Sequence, residues 1–235
     1  MTETKLYIIR HGKTMFNTLG RTQGWSDTPL TTEGENVIQQ LGVGLKAVPF
    51  EEAYSSDSGR AMQTARIVLQ EHNQGDKIPY RTDKRIREWC FGSLDGGYDG
   101  ELWGVVPRIL AFNNYDDMMS KTISYRDLAN AIIEADTADW AEPYETIRER
   151  VWSGFEDMAH QRERAGGGNV MAVSHGLTIS FLLSLIDETL PMQMGLDNGS
   201  VTTLIYKNGT FTIDKINDLQ YIEEGKKELE YRSIL

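Results

Sequence analysis

The chain has 235 residues, 40% of them hydrophobic, with a formal net charge of -11 at pH 7 and a single cysteine, Cys90. That length fits one large domain or a domain carrying an insertion, while the acidic balance excludes a broad electrostatic footprint for nucleic acid or an anionic membrane, so any anionic ligand must be held by a local cluster of cations. One cysteine allows no intrachain disulfide, and no apolar run is long enough for a signal peptide or a bilayer span. A cytoplasmic protein with no membrane or nucleic-acid partner is expected.

The apolar run Leu6 to Ile9 predicts a first strand over about 5–10, which ends on Arg10 and His11. Thr32-Glu33-Gly34-Glu35 offers a capping box for a helix carrying Val37, Ile38, Leu41 and Leu45. Glu52 to Ser55 reads as a second strand, and Ala61, Ala65, Val68 and Leu69 repeat at helical spacing in a helix over about 58–72. The chain then looks extended from Ile78 to Arg87, and the glycines of EWCFGSLDGGYDG exclude a regular helix there.

Residues 97–140 hold Trp103, Phe112, Tyr115, Met118, Met119, Tyr125 and Trp140 with weak periodicity, and are expected to form a partly helical cap inserted into a single domain spanning 1–235. At least half of those side chains are more simply core than pocket lining. Pro143 suits the first turn of a helix running to about Arg164, with Ile147, Val151, Phe155 and Met158 as its apolar stripe. AGGG at 165–168 stops it, and NVMAVSHG repeats the opening grammar of an apolar strand ending in His-Gly, followed by an apolar helix from Leu177 to Ile186. A hairpin turning at Asn208-Gly209 and a charged tail, helical or disordered, complete the chain. Alternating strands and helices imply an α/β three-layer sandwich: a mostly parallel central sheet with helices on both faces. Ligands in such sheets bind beyond the carboxyl ends of the strands, which places Arg10, His11, Ser174 and His175 on one surface.

Several mechanisms are removed by what the sequence lacks. It has no G-x-x-x-x-G-K-[ST] loop, G-x-G-x-x-G, H-E-x-x-H or G-x-S-x-G element, and Gly96 stands six residues after Cys90, where a thiol phosphatase needs arginine. No metal-ligand spacing appears, so neither a metal nor another cofactor is expected. Four elements remain. RHGKTMFN carries Arg10, His11 and Asn17 and leads to Gln23 and Gly24; YSSDSGRAMQTA places Arg60 near a helix N-terminus; RIREWCFGSLDG carries Glu88; VSHG carries His175 and Gly176. A strand-end histidine or arginine is ordinary by itself, but the four in this order are not.

Through LYIIRHGKTMFN, LTTEG, YSSDSGRAMQTA, REWCFGSLDG and VSHG, the chain resembles the histidine phosphatase superfamily, the phosphoglycerate mutase-like proteins, over nearly its whole length except the insertion and the tail. The resemblance implies phosphoryl transfer from a small phosphorylated substrate to His11 through a phosphohistidine. Arg10 and Arg60 would grip the phosphate oxygens and favour neutral His11. His175 would be charged when phosphate is bound and stabilise the transferring group, and Glu88 would act as general acid and then base. Asn17 would fix the phosphate or the His11 loop, with Gln23, Gly24 and Gly176 at the same mouth.

The resemblance leaves three activities to separate. The mutases follow their acid with arginine and HYG and place an arginine pair in the cap and asparagine after the second His-Gly. This chain has Trp89-Cys90-Phe91-Gly92, only Arg108 as a cation between Trp89 and Met119, and Leu177. FGSLDG instead resembles the FG-x-x-EG element of the phosphatase branch, with Asp95 for the usual Glu. A phosphatase of small metabolites is therefore expected ahead of a cofactor-dependent mutase or a non-catalytic phospho-ligand binder.

Overall fold

Alternation along β1 (Thr4–Arg10) sends Leu6 and Ile8 into one core and Tyr7 and Ile9 into another, so this strand is buried on both faces. The computed structural model describes residues 2–121, 123–192 and 195–233. After β1 come α1 (Met15–Leu19), α2 (Thr32–Leu45), β2 (Phe50–Ser55), α3 (Gly59–Glu71) and β3 (Tyr80–Thr82). Four helices follow, α4 (Asp99–Ile109), α5 (Tyr115–Met119), α6 (Tyr125–Ala135) and α7 (Tyr144–Arg164), then β4 (Gly168–Ser174) and α8 (Gly176–Ile186). The hairpin β5 (Val201–Lys207) and β6 (Thr210–Asp218) precedes α9 (Gln220–Arg232).

The sheet order is β3-β2-β4-β1-β5-β6. The first four of these strands run parallel, and the β5–β6 hairpin is added antiparallel along β1. One core packs α2, α3 and α9 against Tyr7, Ile9, Met171 and Val173; the other packs α6, α7 and α8 against Leu6, Ile8, Val170 and Ala172. This is the three-layer α/β sandwich expected. Burying each of the four β1 side chains is worth about 1.5–3 kcal/mol, which fixes where the strand ends. No described helix is long and apolar enough to cross a membrane.

Two local expectations are corrected and two are narrowed. Thr31 caps α2, its hydroxyl accepting from the Gly34 amide, one residue before the proposed box. The extended segment shrinks to the three residues of β3, because a 3₁₀ turn at Lys84–Ile86 follows it. The tail is helical as α9, with Ile222 and Tyr221 packed on the α2 side. Most of the aromatic and methionine side chains of the insertion belong to the core: Met118 and Tyr125 are buried, and Trp103, Phe112, Tyr115 and Met119 pack against the same cluster, whereas Trp140 is 71% exposed.

Candidate active site

Strand register brings the two histidines together. Arg10 pairs with Ser174 across β1 and β4, and the His11 amide donates to the Ser174 carbonyl at 3.0 Å, so His11 and His175 leave adjacent strand ends with ring centroids 5.2 Å apart. Ser56, at the end of β2 on the other side of β4, donates its amide to the Val173 carbonyl and delivers the next loop to the same edge. The His11 backbone is tied on the far side by Asn198, whose Nδ2 donates to the His11 carbonyl at 2.9 Å.

His11 Nδ1 lies 2.8 Å from the Gly12 carbonyl. A carbonyl only accepts, so Nδ1 carries the hydrogen and Nε2 is left with its lone pair. Burial, then Arg60 and Arg10, holds the His11 pKa well below 6.5, partly opposed by the Gly12 bond. His175 has the opposite tautomer: Arg60 donates to its Nδ1 at 3.0 Å, and its Nε2 donates to Ser56 Oγ at 2.7 Å. Burial first, and Arg60 next, also hold His175 neutral.

Arg60 is wholly buried. Its NH1 donates to Asp27 Oδ1 at 2.8 Å and the Ser26 carbonyl at 3.0 Å, and its NH2 to the Gly24 carbonyl at 2.8 Å and the Gln23 carbonyl at 3.3 Å. Gln23 and Gly24 thus contribute through their backbone, the Gln23 side chain being engaged with Thr14 and Thr28. Arg10 reaches the Leu196 carbonyl, and its Nε would sit 3.3 Å from a Cβ on Gly176, so glycine there lets the guanidinium lie against the start of α8. The Nε atoms of Arg10 and Arg60 are both buried with no protein partner. Two buried, charged donors without acceptors fit an anion.

Asn17 closes the start of α1: its Oδ1 accepts from the Thr14 amide while Thr14 Oγ1 accepts from the Asn17 amide, both at 3.1 Å. Of its two expected roles, these bonds serve the loop after His11.

Glu88 is buried, with its carboxylate at the N-terminus of α8. Oε2 accepts from the Leu177 amide at 3.0 Å; Oε1 accepts from the Thr178 amide at 2.9 Å and the Trp89 amide at 3.0 Å, and lies 3.0 Å from Thr178 Oγ1, whose one hydrogen points to the Arg87 carbonyl at 2.7 Å. The helix dipole favours that placement.

Asp95, the residue that departs from the FG-x-x-EG pattern, turns toward the loop at residues 23–26. Its oxygens accept from the amides of Gly24, Trp25, Ser26 and Phe91, which ties the 23–26 loop to the segment after Glu88. A Cβ on Gly24 would lie 2.3 Å from the Trp89 carbonyl oxygen, so only glycine permits this approach. Asp27, Ser56, Asn198, Thr178 and Asp95 were not among the expected site residues. Among the described residues no group of three or more His, Cys, Asp or Glu could hold a metal ion.

The family model for the histidine phosphatase superfamily, branch 1, matches residues 6–219. The chain is 29% identical over 183 residues to a protein named "Probable phosphoglycerate mutase GpmB" in Escherichia coli O1:K1, covering 77% of this chain and 74% of that one. A phosphoglycerate mutase structure from Bacillus anthracis strain Sterne is 35% identical with a TM-score of 0.91, over 96% of this chain and 97% of that one. The α-ribazole phosphatase of Shigella flexneri, 24% identical with a TM-score of 0.69 over 92% of this chain and 97% of its own, shares the fold. From its strand-end histidines to its hairpin, the chain belongs to the histidine phosphatase superfamily, branch 1.

Proposed function

We propose that this chain hydrolyses small phosphomonoesters through a phosphohistidine on His11. The observation that carries the reading is the hydrogen bond from His11 Nδ1 to the Gly12 carbonyl, which leaves Nε2 as an unprotonated nitrogen beside two arginines. Nε2 attacks phosphorus, the ester oxygen departs with the bonding pair, and water later takes the phosphoryl group from His11. Arg10 and Arg60 direct their unpartnered Nε donors at the phosphate, each charge-assisted bond being worth about 1.5–3 kcal/mol.

Glu88 protonates the leaving oxygen and then activates water. We assign the proton to Oε2, which accepts from one backbone amide where Oε1 accepts from two. His175, neutral in the free protein, becomes charged as the phosphate dianion arrives and stabilises it. Asn17 and the backbone of Gln23, Gly24 and Gly176 shape the mouth of the site.

The second reading, a phosphoglycerate mutase, draws on the names of two similar proteins. A mutase must hold a second anionic group. Here Arg108, the one cation between Trp89 and Met119, lies exposed on α4, and Leu177 occupies the position after the second His-Gly. Incubation with a panel of phosphorylated metabolites, phosphoglycerates included, with released phosphate and isomerised ester measured separately, distinguishes the two. We expect phosphate release to dominate; an isomer as main product would establish the mutase, and no turnover from pH 4 to 8 despite phosphate binding would leave a binder.

A further inference from the structure

Residues 85–88 carry Glu88 into the site without belonging to a strand, yet each of their carbonyls is held by a side chain from elsewhere. The Ile86 carbonyl accepts from Ser174 Oγ at 2.8 Å, the Arg87 carbonyl from Thr178 Oγ1 at 2.7 Å, and the Glu88 carbonyl from Trp25 Nε1 at 3.0 Å. One residue spans the segment. Arg150, from α7, donates through NH1 to the carbonyls of Arg85 and Arg87, both at 2.9 Å, and through NH2 to the Glu88 carbonyl at 3.0 Å.

The other edge of that guanidinium is clasped by Glu142, with Nε to Oε1 at 2.7 Å and NH2 to Oε2 at 2.6 Å. The second carboxylate oxygen also accepts from the Cys90 amide at 3.3 Å, on the far side of Glu88. The pair is nearly buried, at 12% and 9% side-chain exposure, so its geometry is held by packing and solvent screens it little.

We propose that Arg150, oriented by Glu142, is a positioning residue for Glu88: it sets the path of residues 85–88 and thereby the aim of the Glu88 carboxyl at the leaving group. A planar fork is needed, because three carbonyls and one carboxylate are served at once; an ammonium at the same place cannot reach them all. The inference rests on the reading of Glu88 as general acid.

The test compares hydrolysis of p-nitrophenyl phosphate, whose phenolate leaves without a proton, with that of an alkyl phosphate, whose alkoxide needs one. Glu88→Gln is the reference and should lose alkyl activity by roughly 10²–10⁴-fold with a much smaller aryl loss. Arg150→Lys keeps the charge beside Glu142 and removes the fork. It should lose alkyl activity at least about tenfold more than aryl activity, and it should add nothing to that ratio in a Glu88→Gln background.

The double substitution Arg150→Met with Glu142→Gln, which leaves no unpaired buried charge, should give the same selectivity. Equal losses on both substrates, with Glu88→Gln still selective, would overturn the proposal and leave Arg150 a structural role. Failure of both variants to fold would do the same. An unselective Glu88→Gln would remove the acid assignment itself, and the positioning proposal with it.

Discussion

The neutral, buried state of both histidines has a price in acid. In the folded chain burial, reinforced by Arg60, holds the pKa of His11 and His175 well below 6.5, whereas in the unfolded chain each titrates near that value. The unfolded chain therefore binds more protons through this window, so stability is complete above about pH 7 and falls as pH drops through 6.5. A histidine that stays neutral in the folded chain down to pH 5.5 costs about 1.4 kcal/mol between pH 7.5 and 5.5, and two cost about 2.7 kcal/mol. For a chain of this size that is a fall in Tm of roughly 5–10 °C.

Urea unfolding without phosphate at the two pH values measures the loss, and His11→Asn or His175→Asn should each remove about half of it. The carboxylates whose pKa is lowered, such as Asp57, Asp136 and Asp214, lose their stabilisation only at lower pH and leave the window clear. A wild-type loss under about 0.5 kcal/mol, or one unchanged by either substitution, would refute the electrostatic account of the site.

Gly24→Ala should force the Trp89 carbonyl away, costing about 1–3 kcal/mol and displacing two of the carbonyls that hold Arg60, with activity falling on the order of 10²-fold. Gly100→Ala, on α4 with open space around it, is the control and should leave activity unchanged; similar losses in both would contradict the steric argument. Activity should survive EDTA, because Arg10 and Arg60 supply the positive charge at the phosphate; loss restored by added Mg²⁺ would show that they do not suffice.

The parallel core of the fold was legible because β1 and β4 carry short apolar runs and the helices α2, α3 and α7 carry 3.6-residue apolar stripes. The 97–140 segment was less so, since its helices α4 to α6 are short and share a core with α7 and α8. In the site, Arg10, His11 and His175 could be placed from strand ends alone, and Arg60 from the start of the following helix. What escaped sequence reading are the residues that hold those groups from far along the chain. Asn198 meets the His11 carbonyl across 187 positions, and Arg150 meets residues 85–88 from a helix whose apolar stripe says nothing about its polar edge. Asp95 was visible only as a departure from a familiar pattern; its role as acceptor for four backbone amides appears once the two loops are side by side.

The measurement that bears most directly on the account is trapping of the phosphoenzyme. Wild-type protein mixed with ³²P-labelled substrate and quenched within milliseconds should carry acid-labile, alkali-stable label that maps to the peptide containing His11, and His11→Asn should carry none. Label that persists on His11→Asn, or that maps to another residue, would contradict the assignment of His11 as the nucleophile.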